Sequence, residues 1–348
     1  MATTRFTPRD HDADRLYKEL AEHDLQPLWE LTGLLTVQPR PRAVPFVWHA
    51  EDLARLAGEA GELIPVERGG DRRVLACANP GLRGDPYIVG TLWAAVQFLK
   101  PGEVAPAHRH TPAALRLVLE GKGVWTVVDG DAVPMSAGDL VLTPSWTFHE
   151  HHNSGATAMM WLDVLDLPLV AALDAVFYQD GPSDDVGIAT PESSRSELRY
   201  GAGPGLLPGR AAGEPSAASP LLAFRWAETD RALSAQLADG AVPAHIRYAN
   251  PVTGGDVMPT MRCEMFRYSP GATSPRNRQT GGRVGCVLHG SGLVTIGDQQ
   301  FGVAPGDILA IPSWQALTVT AEKQIDLFIT SDAPALTALG LYREEAAP

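Results

Sequence analysis

At 348 residues with 45% hydrophobic and 20% charged side chains, the chain is long enough for two modest globular domains of ordinary composition. A formal charge of −13 at pH 7 disfavours nucleic acid and anionic membranes, which repel acidic proteins, yet a local arginine cluster can still hold a small anionic substrate. Cys77, Cys263 and Cys286 form an odd, sparse set that reads as reduced thiols, and no apolar run reaches membrane-spanning length; a cytoplasmic protein is expected.

Helical periodicity runs through DADRLYKELAEHDLQPLWELTG and HAEDLARLAGEAG, predicting a helical arm over 1–70. From about residue 73, short β-rich runs follow: VLACA, YIVGTLWAAVQFL, LRLVLEG, VWTVVDG, DLVLTP and AMMWLDVL. Gly, Pro, Asp and Asn break them at roughly ten-residue intervals, the rhythm of an all-β sandwich or barrel, predicting a first domain over 71–180. The stretch 181–225 is rich in Pro, Gly and Ser and reads as a surface linker. A second β-rich run predicts a second domain over 226–345.

The two domains are copies. PGEVAPAHRHTPAALRLVLEG, from Pro101 to Gly121, aligns without a gap with PGATSPRNRQTGGRVGCVLHG, from Pro270 to Gly290. Further along each copy, AGDLVLTPSWTFH matches PGDILAIPSWQAL. Asp139 and Asp307 match in this second pair, so Asp139 reads as turn chemistry rather than catalysis. The differences are concentrated elsewhere. His108 faces Asn277, His110 faces Gln279 and His149 faces Leu317. Joint loss of three histidines fits one metal site in the first copy, because losing one ligand removes the reason to keep the others. The second copy is then a metal-free structural scaffold.

His108 and His110 are two residues apart, so on a strand both point to one face, with His149 coming from a separate strand. Three neutral imidazoles suit Fe, Mn, Ni, Cu or Zn and leave positions open for substrate. Arg116 continues the even spacing of 108 and 110 and is expected to face the same cavity. A buried arginine calls for an anionic partner, either a substrate carboxylate or a structural ion pair; the second copy has Gly285 at this position. His151, two beyond His149, is placed to bond substrate oxygens as general acid or base, or to orient His149.

The motif resembles the cupin superfamily: Gly102, His108, His110 and Gly121 fit its first signature, and Gly138, Pro144, His149 and Asn153 its second. The usual Glu is absent, with Ala114 and Leu115 in its place, and Trp146 stands where the signature has a glycine. PGEVAPAHRHTPAALRLVLEG, LTPSWTFHEHHNSG and WLDVLDLPLV more specifically resemble the gentisate 1,2-dioxygenase family, which includes salicylate and 1-hydroxy-2-naphthoate dioxygenases. The resemblance implies a mainly β bicupin, two jelly-roll barrels with an N-terminal helical extension, assembled as a homodimer or homotetramer. It implies Fe(II) on His108, His110 and His149, and O2-dependent cleavage of a hydroxylated aromatic acid between the carboxyl- and hydroxyl-bearing carbons. Gentisate would give maleylpyruvate.

By the same resemblance Arg72, rather than its neighbour Arg73, is a second carboxylate contact, and Trp93, Gln97 and Asp163 line the pocket, with Ala95 setting clearance for the ring. Each has a plainer reading as core packing or barrel polarity. Other substrates stay open: salicylate, substituted salicylates such as 5-nitrosalicylate, and 1-hydroxy-2-naphthoate. So do a metal-dependent isomerase or decarboxylase and a non-enzymatic storage or regulatory cupin, because fold does not fix function.

Overall fold

The computed structural model describes residues 11–64, 73–181, 193–201, 203, 206–209 and 217–347. The chain divides into two compact units, Met1–Arg40 and Pro41–Pro348. In the first, the helix His11–Glu22 is tied to the turns after it: Trp29 Nε1 donates to Tyr17 Oη (3.1 Å), which donates to Glu30 Oε1 (3.0 Å). Leu28, Trp29, Leu34, Leu35 and Val37 are exposed.

The larger unit holds two barrels of antiparallel strands. The first has a six-stranded sheet in the order Ala223–Phe224, Leu140–Thr143, Ala114–Glu120, Met159–Leu165, Trp93–Leu99, Val74–Ala76. Its five-stranded sheet runs Tyr178–Asp180, Val104–His110, His149–Asn153, Lys122–Val128, Asp131–Ser136. Side chains of both sheets, among them Val118, Trp161, Val124 and Met135, meet inside. The second barrel repeats the plan. Its six-stranded sheet runs Phe46–Trp48, Ile308–Ile311, Arg283–His289, Ile325–Ser331, Arg262–Tyr268, Ala244–Arg247. Its five-stranded sheet runs Gln299–Val303, Gly292–Ile296, Leu317–Ala321, Asn277–Gln279, Glu344–Ala346. The expected mainly β bicupin with an N-terminal helix is the architecture observed.

The largest apolar core lies between the barrels. Successive strand residues alternate faces, so Ala94, Val96, Leu115, Leu117, Leu162 and Val164 turn away from the first barrel's interior. They join one cluster with Met265, Val284, Cys286, Ile308, Ala310 and Phe328 of the second. Sheets buried on both faces need near-continuous apolar runs, which explains why LRLVLE and MMWLDVL lack a clean polar alternation. All three cysteines are buried as free thiols, and burial pushes Cys77 up to about 12.

Each barrel is completed by a strand that precedes the other barrel in sequence. Phe46–Trp48 pairs with Ile308–Ile311, and Ala223–Phe224 pairs with Leu140–Thr143. The helix after each exchanged strand is held the same way. Ala50 N, opening Ala50–Leu63, donates to Asp307 Oδ1 (2.8 Å), and Trp226 N, opening Trp226–Ala238, donates to Asp139 Oδ1 (3.0 Å). A carboxylate at a helix N-terminus satisfies an orphan N–H and complements the dipole. Gly138, at φ 85°, is required beside this contact because a Cβ there would lie 2.7 Å from Trp226 Cγ. Among the described residues, no helix is long and apolar enough to cross a membrane.

Candidate metal centre and substrate cavity

His108 and His149 sit directly opposite each other on neighbouring strands, and His110 follows two residues along on the same face. One ring nitrogen from each lies within 4.8 Å of the others. Each Nδ1 is within hydrogen-bond distance of a backbone carbonyl: His108 to Pro106 O (3.0 Å), His110 to Pro112 O (2.7 Å) and His149 to Thr147 O (3.0 Å). A carbonyl only accepts, so every Nδ1 carries the proton and every Nε2 keeps its lone pair. Burial holds His110 down to about 4 and His149 well below the usual histidine range, with Arg116 adding to the effect on His149. Three imidazoles oriented by backbone carbonyls are a donor set that fits a divalent metal. Ala114 lines the cavity where a carboxylate ligand would otherwise project, so the set is all-nitrogen.

Trp146, between His110 and His149 in the chain, adopts φ 63°, and Trp314 in the second barrel adopts φ 64°. This left-handed conformation accounts for the glycine of the family signature at this position. Here an arginine covers each indole: Arg109 Cζ is 4.3 Å from the Trp146 ring and Arg278 Cζ is 4.9 Å from the Trp314 ring.

The histidines open onto a cavity of about 290 Å³ that also receives Trp93, Gln97, Arg116, His151 and Asp163. Arg116 and Asp163 are opposed in register on adjacent strands and are both buried. Arg116 Nε lies 3.2 Å from Asp163 Oδ1, but the two are misaligned for a hydrogen bond and each atom lacks a partner. Arg116 also donates through Nη1 to Thr143 Oγ1, and Trp161 Nε1 donates to Asp163 Oδ2 (3.1 Å). Burial pushes Asp163 up to about 6 against the pull of Arg116, and pulls Arg116 down against the pull of Asp163. Desolvation therefore outweighs mutual attraction on both partners, the signature of a pair with unmet hydrogen-bonding capacity. His151 is fully enclosed, its Nδ1 has no partner, and burial followed by Arg116 keeps the ring neutral.

Ala95 lies on the inner face between Trp93 and Gln97, opposite Asp163, but does not itself line the cavity. Arg72 lies outside the described residues. Arg73 is turned to other work, donating to Ile64 O (2.8 Å) and pairing with Glu103. His152 faces away from the histidine cluster, stacked on Trp125 at 4.1 Å. Sequence reasoning missed Thr143 and Trp161, which hold Arg116 and Asp163, and the apolar wall of Val74, Pro106 and Leu165. Trp161 carried a signal, since it shares the strand face of Asp163 two residues on; Thr143 carried none.

In the second barrel Asn277 sits opposite Leu317 just as His108 sits opposite His149. Among the described residues, the one group with metal-ligand geometry is that of the first barrel. Fold and site together define a bicupin with a single histidine centre, and the cupin domain family matches residues 95–165 and 264–328. A gentisate 1,2-dioxygenase of Streptomyces sp is 47% identical, over 95% of this chain and 94% of its own length. The chain belongs to the gentisate 1,2-dioxygenase family. It is also 36% identical to a 1-hydroxy-2-naphthoate 1,2-dioxygenase of Nocardioides sp. (strain KP7), over 88% of this chain and 80% of that one. The crystal structure of salicylate 1,2-dioxygenase from Pseudoaminobacter salicylatoxidans with gentisate superposes with a TM-score of 0.95 at 43% identity, covering 99% of this chain and 97% of that one.

Proposed function

We propose that this ring-cleaving dioxygenase opens gentisate (2,5-dihydroxybenzoate) between its carboxyl- and hydroxyl-bearing carbons to give maleylpyruvate, using Fe(II) held by His108, His110 and His149. The observation that carries the reading is a three-imidazole set opening onto the same cavity as a buried arginine with an unmet N–H. Fe(II), when bound, supplies the one-electron chemistry with O2 that no side chain here can provide. The side chains supply binding and proton handling. Arg116 takes the substrate carboxylate, meeting the hydrogen bond that Asp163 leaves unfilled. Asp163 keeps the guanidinium in place, and Gln97 and Trp93 position the ring. His151, kept neutral by burial and Arg116, lines the same cavity and hydrogen-bonds the adjacent hydroxyl.

Under this reading 71–180 is the catalytic cupin, 226–345 the metal-free one, 1–70 the arm and 181–225 the linker. The exposed Leu28, Trp29, Leu34, Leu35 and Val37 of the arm favour a homodimer or homotetramer, and the acidic charge with three buried free thiols favours a cytoplasmic enzyme. A second reading, a salicylate as preferred substrate, is favoured by the close superposition on a salicylate 1,2-dioxygenase. Oxygen uptake by Fe(II)-loaded protein against salicylates with and without a 5-hydroxyl separates the two. Gentisate turning over with the highest kcat/KM supports the first reading; equal or higher values for salicylate itself support the second. Turnover without O2 sinks both and points to an isomerase or decarboxylase.

A further inference from the structure

Four arginines are buried among the described residues: Arg73, Arg116, Arg267 and Arg283. Three of them meet a carboxylate, Arg73 with Glu103, Arg116 with Asp163 and Arg267 with Asp326. Arg283 meets none among the described residues. It donates through Nη2 to Gln315 O (2.9 Å), while its buried Nε has no partner. Glu264, Glu344 and Asp332 act on it only from beyond ion-pair distance, and a desolvated guanidinium with an unmet N–H is unfavourable, so its persistence fits an anion that contacts it directly. Burial brings Arg283 down to about 10, which leaves it protonated at neutral pH.

Arg283 lines a cavity of about 450 Å³ inside the second barrel, larger than the one beside the histidines. In the repeat it stands at the position of Ala114, on the same strand face that carries Arg116 in the first barrel. Asn277, Gln279 and Leu317, in place of the three ligands, also border this cavity, so the barrel has exchanged a metal's positive charge for a guanidinium. The other charged groups there are already engaged. Glu264 is paired with His245 (2.9 Å), Arg262 with Asp256 (2.9 Å), and Glu344 accepts from Tyr342 Oη (2.9 Å). Glu264 and Glu344 would repel a doubly charged guest such as a phosphate more strongly than a singly charged one held directly by Arg283. The rings of Phe266, Tyr268 and Tyr342 offer a wall for a flat apolar body.

We propose that the second barrel binds a small aromatic monocarboxylate, its carboxylate on Arg283 and its ring against Phe266, Tyr268 and Tyr342. The site is independent of the histidine centre and of its reaction. The probe is 4-bromobenzoate, which has the carboxylate but no neighbouring hydroxyl, titrated calorimetrically into the iron-loaded protein. The expected result is a binding event that survives Arg116→Leu and is weakened at least about thirtyfold by Arg283→Met. Crystals of the wild-type protein grown with the probe are expected to show an anomalous bromine peak inside the second barrel, a readout that needs no variant to fold. Gln279→Trp, filling the cavity from another strand, is expected to remove the same event. A bromine peak confined to the first barrel overturns the proposal. So does a peak in the second barrel with no matching binding in solution, or second-site binding undiminished by Arg283→Met.

Discussion

Replacing Arg116 with leucine removes the guanidinium 3.2 Å from Asp163 and leaves a buried carboxylate bonded only by Trp161. Two consequences separate cleanly. Losing one charge-assisted contact to substrate at a desolvated site removes about 2–5 kcal/mol, which at about 1.4 kcal/mol per decade is a fall in kcat/KM of roughly thirtyfold to several thousandfold. Breaking a buried ion pair costs about 3–5 kcal/mol of stability. The low end applies here, because Asp163, already pushed up to about 6, rises further without Arg116 and takes up a proton near neutral pH. The double variant Arg116→Leu/Asp163→Leu removes both charges and is expected to regain most of the lost stability with none of the activity. Arg116→Lys is expected to rescue little, because a point charge cannot copy the planar fork. Oxygen-uptake kinetics, metal content and thermal unfolding of the four proteins test this together. Full activity in Arg116→Leu, activity lost only in step with iron, or activity returning in the double variant would refute the assigned role.

The chain is expected to hold about one iron, and His149→Ala to reduce that content to background; two tightly bound ions per chain by metal analysis would contradict the single-centre reading. Asp307→Ala strips the cap from Ala50–Leu63 and is expected to lower stability by about 1–2 kcal/mol with kcat unchanged, measured by denaturant unfolding and oxygen uptake. Gly138→Ala forces a Cβ against Trp226 at positive φ and is expected to destabilise by more than 1–2 kcal/mol, roughly the cost of the backbone strain alone. Light scattering at micromolar concentration is expected to give a dimer or tetramer mass, and a monomer would count against the assembly.

The barrels were legible because a duplicated chain marks its own boundaries twice: Pro-Gly turns, the Gly-Asp turns and the Pro-Ser-Trp runs recur in the same order. The histidine set was legible for the same reason, since its absence from the second copy isolates it. The exchanged strands Phe46–Trp48 and Ala223–Phe224 were not anticipated, being too short to display a two-residue period of their own. Asp139 and Asp307 looked like local turn residues, and they are, but each also captures the helix leading into the opposite barrel, a long-range contact no local pattern encodes. Even spacing placed Arg116 and His151 correctly inside the cavity. It could not reveal Thr143, whose bond to Arg116 depends on how two strands are staggered.

The central claim is that one iron on His108, His110 and His149 directs both atoms of O2 into the ring of a hydroxylated aromatic acid. Turnover of gentisate under ¹⁸O2 by protein loaded with one Fe(II) per chain, with product mass measured promptly, tests it most directly. The expected product carries two ¹⁸O atoms, forms one for one with O2 consumed and is abolished in His108→Ala. Product formed without O2, or in the histidine variant at the wild-type rate, would contradict it.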